Sequence, residues 1–114
     1  MSRYYQRKPV NDDYETTDSI SMKQVIKKIK DSEWAILYSP WCSYSKSALQ
    51  LFKKKNITPT AIDIESISGS INEIQMGLAK DDSIGFPSNY STRPMIFMNG
   101  KWLGGYRELN EYFS

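Results

Sequence analysis

The run Trp34-Ala35-Ile36-Leu37-Tyr38 constrains this chain more than any other stretch, because it is apolar throughout with no polar alternation. A strand of that kind is covered on both faces, so helices are expected to pack on the sheet that contains it. Ser39-Pro40-Trp41-Cys42 follows, and then a helical pattern from about Ser43 to Lys55 carrying Ala48, Leu49, Leu51 and Phe52, with Asn56 as its stop. A strand that ends at a cysteine and opens a helix sets the sulfur at a helix N-terminus. The unpaired N–H groups and positive dipole end there favour a thiolate over a thiol. A lone cysteine otherwise serves as a small buried hydrophobe. Pro40, Trp41, Ser43 and Ser45 describe a turn rather than a core, so Cys42 is expected to be reactive.

The rest of the chain supplies the other layers. Ser21 precedes Met22, Val25, Ile26 and Ile29 at helical spacing, with Lys23, Lys27, Lys28 and Lys30 on the opposite, solvated side. Thr60 to Ile64 reads as a second strand, joined to the first by a helical crossover and therefore parallel to it. Ser66 to Ser70 reads as a loop before a helix carrying Ile71, Ile74, Leu78 and Ala79. A polar loop is expected over Lys80 to Ser91. Met95 to Met98 reads as a strand, Asn99-Gly100 as a type I′ turn into Lys101-Trp102-Leu103, and Arg107, Leu109 and Phe113 as a last helix. The fold class is α/β, a mixed four-stranded sheet flanked by helices. Residues 1–19 are polar without apolar period and read as an extension, or as a partner-binding arm, ahead of a domain over 20–114.

Composition narrows the chemistry. The chain has no histidine, which removes Ser-His-Asp and Cys-His catalysis and the commonest zinc ligand. One cysteine excludes an intramolecular disulfide framework and fits a reducing compartment. A net charge of +2 gives no field for nucleic acid or a membrane surface, and no apolar run approaches spanning length. The expectation is a cytoplasmic monomer with no nucleic-acid or membrane partner.

Four stretches in order carry a resemblance: Trp41-Cys42-Ser43-Tyr44-Ser45, Asn72-Glu73-Ile74-Gln75, Thr92-Arg93-Pro94-Met95-Ile96-Phe97, and Asn99-Gly100 through Leu103-Gly104-Gly105. Over roughly residues 34 to 113 the sequence resembles the glutaredoxins, of the thioredoxin-fold superfamily. The resemblance implies that fold in three layers, with Cys42 as the nucleophile that attacks a disulfide. It implies glutathione as co-substrate and glutathionylated proteins as partners. It puts Tyr44 beside the thiol and Gln75 at the glycine carboxylate of glutathione. Pro94 would be cis, facing Cys42 and freeing the Arg93 backbone to pair with an extended peptide; an X-Pro step can also be a trans strand entry. Gly105, Tyr106 and Arg107 would bind a carboxylate through backbone amides, where the bare reading is a strand-to-helix turn.

A free thiol is only a few per cent thiolate at neutral pH, and a helix terminus contributes about 0.3–1 kcal/mol, up to about 2. The Tyr44 and Ser45 amides and the Ser45 hydroxyl would have to supply more.

The departures set the mechanism. Ser45 stands where many relatives carry a second cysteine, so no internal disulfide can form. Ser39 replaces a frequent basic residue and Arg107 a frequent Asp or Ser, while Arg93 stands in place of a small aliphatic residue. The loop before Thr92 exceeds the usual length by about six residues, and such insertions near a site are often functional. Three readings follow. The leading one is a monothiol glutathione-dependent oxidoreductase that removes glutathione from protein mixed disulfides. The second is a glutathione-assisted [2Fe–2S] carrier dimer with Cys42 as the protein ligand; no other metal is expected. The third is a binding module with reduced thiol activity.

Overall fold

The computed structural model describes residues 19–114, and the expected extension lies outside them up to residue 18. Among the described residues four helices and four strands are formed: α1 (Met22–Lys30), β1 (Trp34–Tyr38), α2 (Ser43–Lys54), β2 (Thr60–Asp63), α3 (Ile71–Ala79), β3 (Met95–Met98), β4 (Lys101–Gly104) and α4 (Tyr106–Tyr112). The sheet runs β2-β1-β3-β4. β1 and β2 are parallel, pairing Ile36 with Ala61, while β1 with β3 and β3 with β4 are antiparallel. This is the mixed α/β sheet the alternation of elements implies.

Strand alternation sorts the core into two layers. Ala35 and Leu37 of β1 with Met95 and Phe97 of β3 face α1 and α3, where Val25, Ile29, Ile74 and Leu78 are buried. Trp34, Ile36 and Ile96 face α2 and α4, where Ala48, Phe52 and Leu109 close the other side. The central strand is therefore covered twice, which is why it tolerates no polar residue.

Local signals end the elements where they stand. Ser21 and Gln24 form a reciprocal cap on α1, and Ser70 and Glu73 form one on α3. Asn56 takes φ 60° just past α2, while Asn99 and Gly100 take φ 53° and 78° between β3 and β4, as a type I′ turn requires.

Three expectations are corrected. β2 ends at Asp63, one residue early, because the Asp63 carboxylate accepts the Glu65 N–H and opens a short 3₁₀ turn over Ile64–Ser66. Ile67, expected in a loop, is buried and pairs with Ile20. The segment 80–91 is not simply polar: Ile84 and Phe86 are buried in the α1/α3 layer, and the Ile84 carbonyl accepts the Trp102 N–H at 2.8 Å. Phe86 meets Trp102 edge-on at 4.8 Å, so the segment covers the sheet beside β4.

Candidate active site

The site lies where β1 feeds α2. Cys42 is the N-cap of α2, with extended backbone at φ −90° and ψ 124°, and its sulfur is partly exposed. Burial opposes ionisation of the thiol, but the Ser45 amide, the Ser45 hydroxyl, the Tyr44 amide and the Arg93 charge outweigh it and hold the thiol below its ordinary range. The helix-start geometry thus places the two amides at the sulfur, and Ser45 acts twice.

Ser45 is fully buried, and its Oγ accepts the Ser39 N–H at 3.2 Å. With that acceptor site occupied, the hydroxyl proton is free to turn toward Sγ. Ser39 is fully buried as well, and its own Oγ finds no partner. Beneath the thiol, then, stands a small hydroxyl-lined wall rather than a basic side chain.

Across from Cys42 the Arg93–Pro94 peptide bond is cis, and the Cys42 Sγ lies 3.9 Å from the Arg93 carbonyl. The Arg93 guanidinium sits 5.4 Å above the Trp41 ring. Trp41 is 62% exposed and its indole N–H donates to Glu65 at 2.8 Å. The Arg93 Nε is buried without a partner.

Beside the thiol runs a groove lined by Tyr44, Tyr90, Thr92, Arg93, Gly105, Tyr106, Arg107 and Glu108. Of the residues anticipated from sequence, it brings together Tyr44, Arg93, Gly105, Tyr106 and Arg107, with Cys42 and Pro94 adjoining. Tyr44 is 63% exposed and packs its ring 6.3 Å from that of Tyr106. Gly105 caps α4, and its N–H is taken by the Glu108 carboxylate at 2.8 Å. Arg107 is exposed and paired with Glu108 at 3.6 Å and Glu111 at 4.0 Å.

Gln75 is not in the groove lining. It is 6% exposed on α3, and its side-chain amide donates to the Tyr90 carbonyl, fixing the loop before β3 instead of projecting into the groove. Sequence reasoning also passed over Tyr90, Glu108 and Glu65. Glu108 carried a signal, since it stands three residues after Gly105 as a capping acid does. Tyr90 and Glu65 reach the site only through tertiary packing.

A cluster such as [2Fe–2S] needs four ligands. Cys42 supplies one, and among the described residues no three His, Cys, Asp or Glu side chains converge. Cys42 is the one thiolate a subunit would bring to such a group, and the dimer reading draws the other ligands from a second copy and from glutathione.

A family model described as Glutaredoxin matches residues 35–103. The chain belongs to the glutaredoxin family. A probable glutaredoxin of Acanthamoeba polyphaga mimivirus is 30% identical over 100 residues, covering 84% of this chain and 94% of that protein. Monothiol glutaredoxin-S10 of Oryza sativa subsp. japonica is 28% identical over 85 residues, or 74% of this chain and 48% of that protein, so the chain spans about half of that relative. A buckwheat glutaredoxin–glutathione complex shares the fold with a TM-score of 0.65 at 18% identity, over 81% of this chain and 77% of that one. Family and fold support a glutathione-related thiol oxidoreductase activity.

Proposed function

We propose that the chain is a monothiol oxidoreductase that removes glutathione from protein mixed disulfides. The observation that carries this reading is the single thiol, held below its ordinary range at the start of α2 and 3.9 Å from the carbonyl that precedes Pro94. The Cys42 thiolate attacks the glutathione sulfur of the mixed disulfide, the Cys42–glutathione S–S bond forms, and the protein leaves as a thiolate that takes up a proton. A second glutathione, as its thiolate, then attacks the glutathione sulfur on Cys42. Glutathione disulfide departs and Cys42 returns as a thiolate. Over the cycle one glutathione thiol is consumed: its sulfur is oxidised into glutathione disulfide, the protein sulfur is reduced to the thiol, and the transferred glutathionyl sulfur stays at the disulfide level.

The remaining residues bind. The Arg93 backbone pairs with the cysteine unit of the tripeptide, as an added strand would. Tyr44 and Tyr106 wall the groove, the Arg93 guanidinium meets a carboxylate, and Ser45 supports the thiolate. Such a cycle suits a monomer in a cytoplasm that supplies glutathione.

The test is incubation with glutathione disulfide and with a glutathionylated peptide, read by mass. A single glutathionyl adduct on Cys42, and loss of peptide deglutathionylation in Cys42→Ser, are expected. Turnover persisting in Cys42→Ser, or no adduct on the native chain, would reject the mechanism.

A further inference from the structure

Tyr90 is held from several directions. Its ring meets Trp102 edge-on at 4.7 Å and Phe86 at 6.2 Å. Its N–H donates to the Pro87 carbonyl at 3.2 Å, and its own carbonyl accepts from the buried Gln75 amide. A side chain so fixed points its hydroxyl one way only. That hydroxyl ends against Gly105, where a Cβ would collide with it. Tyr90 is half-buried and lines the groove, so its hydroxyl is offered there as a donor.

Both signs of charge flank it on the same wall. Arg107 is 82% exposed, and Glu108 lends one carboxylate oxygen to the Gly105 N–H while the other lies 3.6 Å from Arg107. A donor hydroxyl between a cation and an anion suits a ligand end that carries an ammonium and a carboxylate together. Glutathione has one such end, its γ-glutamyl α-amino acid; its glycine end carries a carboxylate alone.

We propose that Tyr90 is a specificity-determining residue of this groove, its hydroxyl donating to the α-carboxylate of the γ-glutamyl unit. The inference rests on the glutathione-dependent reading above and adds a selectivity determinant supplied by the inserted loop.

The test uses the full chain and two substrates: a peptide disulfide-linked to glutathione, and the same peptide linked to γ-aminobutyryl-cysteinyl-glycine, which lacks only the α-carboxylate. Tyr90→Phe keeps the ring and its packing. A hydrogen bond to a charged group is worth enough that its loss should lower kcat/KM for the glutathione substrate about tenfold. kcat/KM for the decarboxylated substrate should stay unchanged, so the preference of the native chain for glutathione collapses. An equal loss on both substrates assigns Tyr90 a structural role and overturns the proposal, as does an unchanged preference. A native chain that turns over neither substrate overturns the glutathione-dependent reading itself, and is seen before any variant is made.

Discussion

Ser45→Ala separates the hydroxyl's contribution from that of the helix start. The substitution is nearly isosteric in a fully buried position, so it removes one oxygen and little packing. A hydrogen bond to a charged group is worth about 1.5–3 kcal/mol, and the two amides and the Arg93 charge remain, so the lower end applies. About 1.4 kcal/mol is a factor of ten, so below the thiol's midpoint the thiolate population of the variant is about tenfold lower. A more basic thiolate is a better nucleophile, with a Brønsted coefficient of about 0.4–0.5, and this returns about threefold. The net expectation is alkylation of Cys42 by iodoacetamide slowed about threefold at pH values below that midpoint. The sign with pH follows from a thiol held below its ordinary range: the native rate persists into more acid solution and falls as pH drops through the lowered midpoint. In the variant that fall begins at higher pH. Removing the acceptor of the buried Ser39 N–H also costs about 1–3 kcal/mol, which lowers the melting temperature by several degrees. Superimposable pH–rate profiles, with the melting loss present, would show that the hydroxyl serves the backbone and not the sulfur.

Two further substitutions probe the groove wall and the insertion. Gly105→Ala should drive its methyl into the Tyr90 hydroxyl and lower the melting temperature, with Tyr90→Phe in the same chain restoring part of that loss; a melting loss identical with and without the hydroxyl would place the clash elsewhere. Ile84→Ala should cost about 2–5 kcal/mol in urea unfolding, as for a core residue and unlike a surface loop, since Ile84 is 2% exposed.

What could be read in the chain depended on whether the determining contacts were local. Trp34–Tyr38 declares itself by having no polar residue, and Asn99-Gly100 by needing two positive φ angles that few other pairs accept. Cys42 was legible as a helix-start residue for the same reason, because strand, turn and helix adjoin in sequence. Ile84 and Phe86 gave no such signal. They stand two apart across Gly85, but polar Asp82 and Ser88 end the alternation at once, and only contact with Phe97 and Trp102, distant in sequence, makes them core. Gln75 shows the same limit from the other side: its place on α3 was readable, but the partner of its amide is a carbonyl fifteen residues on, in a loop whose path no local pattern dictates.

The groove's departures compensate one another physically. Without a basic residue at Ser39 and with Gln75 turned inward, cationic support for the thiolate comes from across the sulfur, from Arg93. That placement has a cost, because the buried Nε goes without a partner and an unmet buried donor costs about 1–3 kcal/mol. The opposing stabilisation is visible in the chain Glu65–Trp41–Arg93: the carboxylate holds the indole N–H, and the indole face holds the guanidinium. Among the described residues no carboxylate pairs with this cation, so none of them neutralises its charge. A salt bridge at that position would fix the side chain more firmly and take away the field that the thiolate needs. The same reasoning separates Arg93 from Arg107, whose charge is already shared with Glu108 and Glu111. Of the two arginines beside the groove, Arg93 is the one whose charge reaches the sulfur.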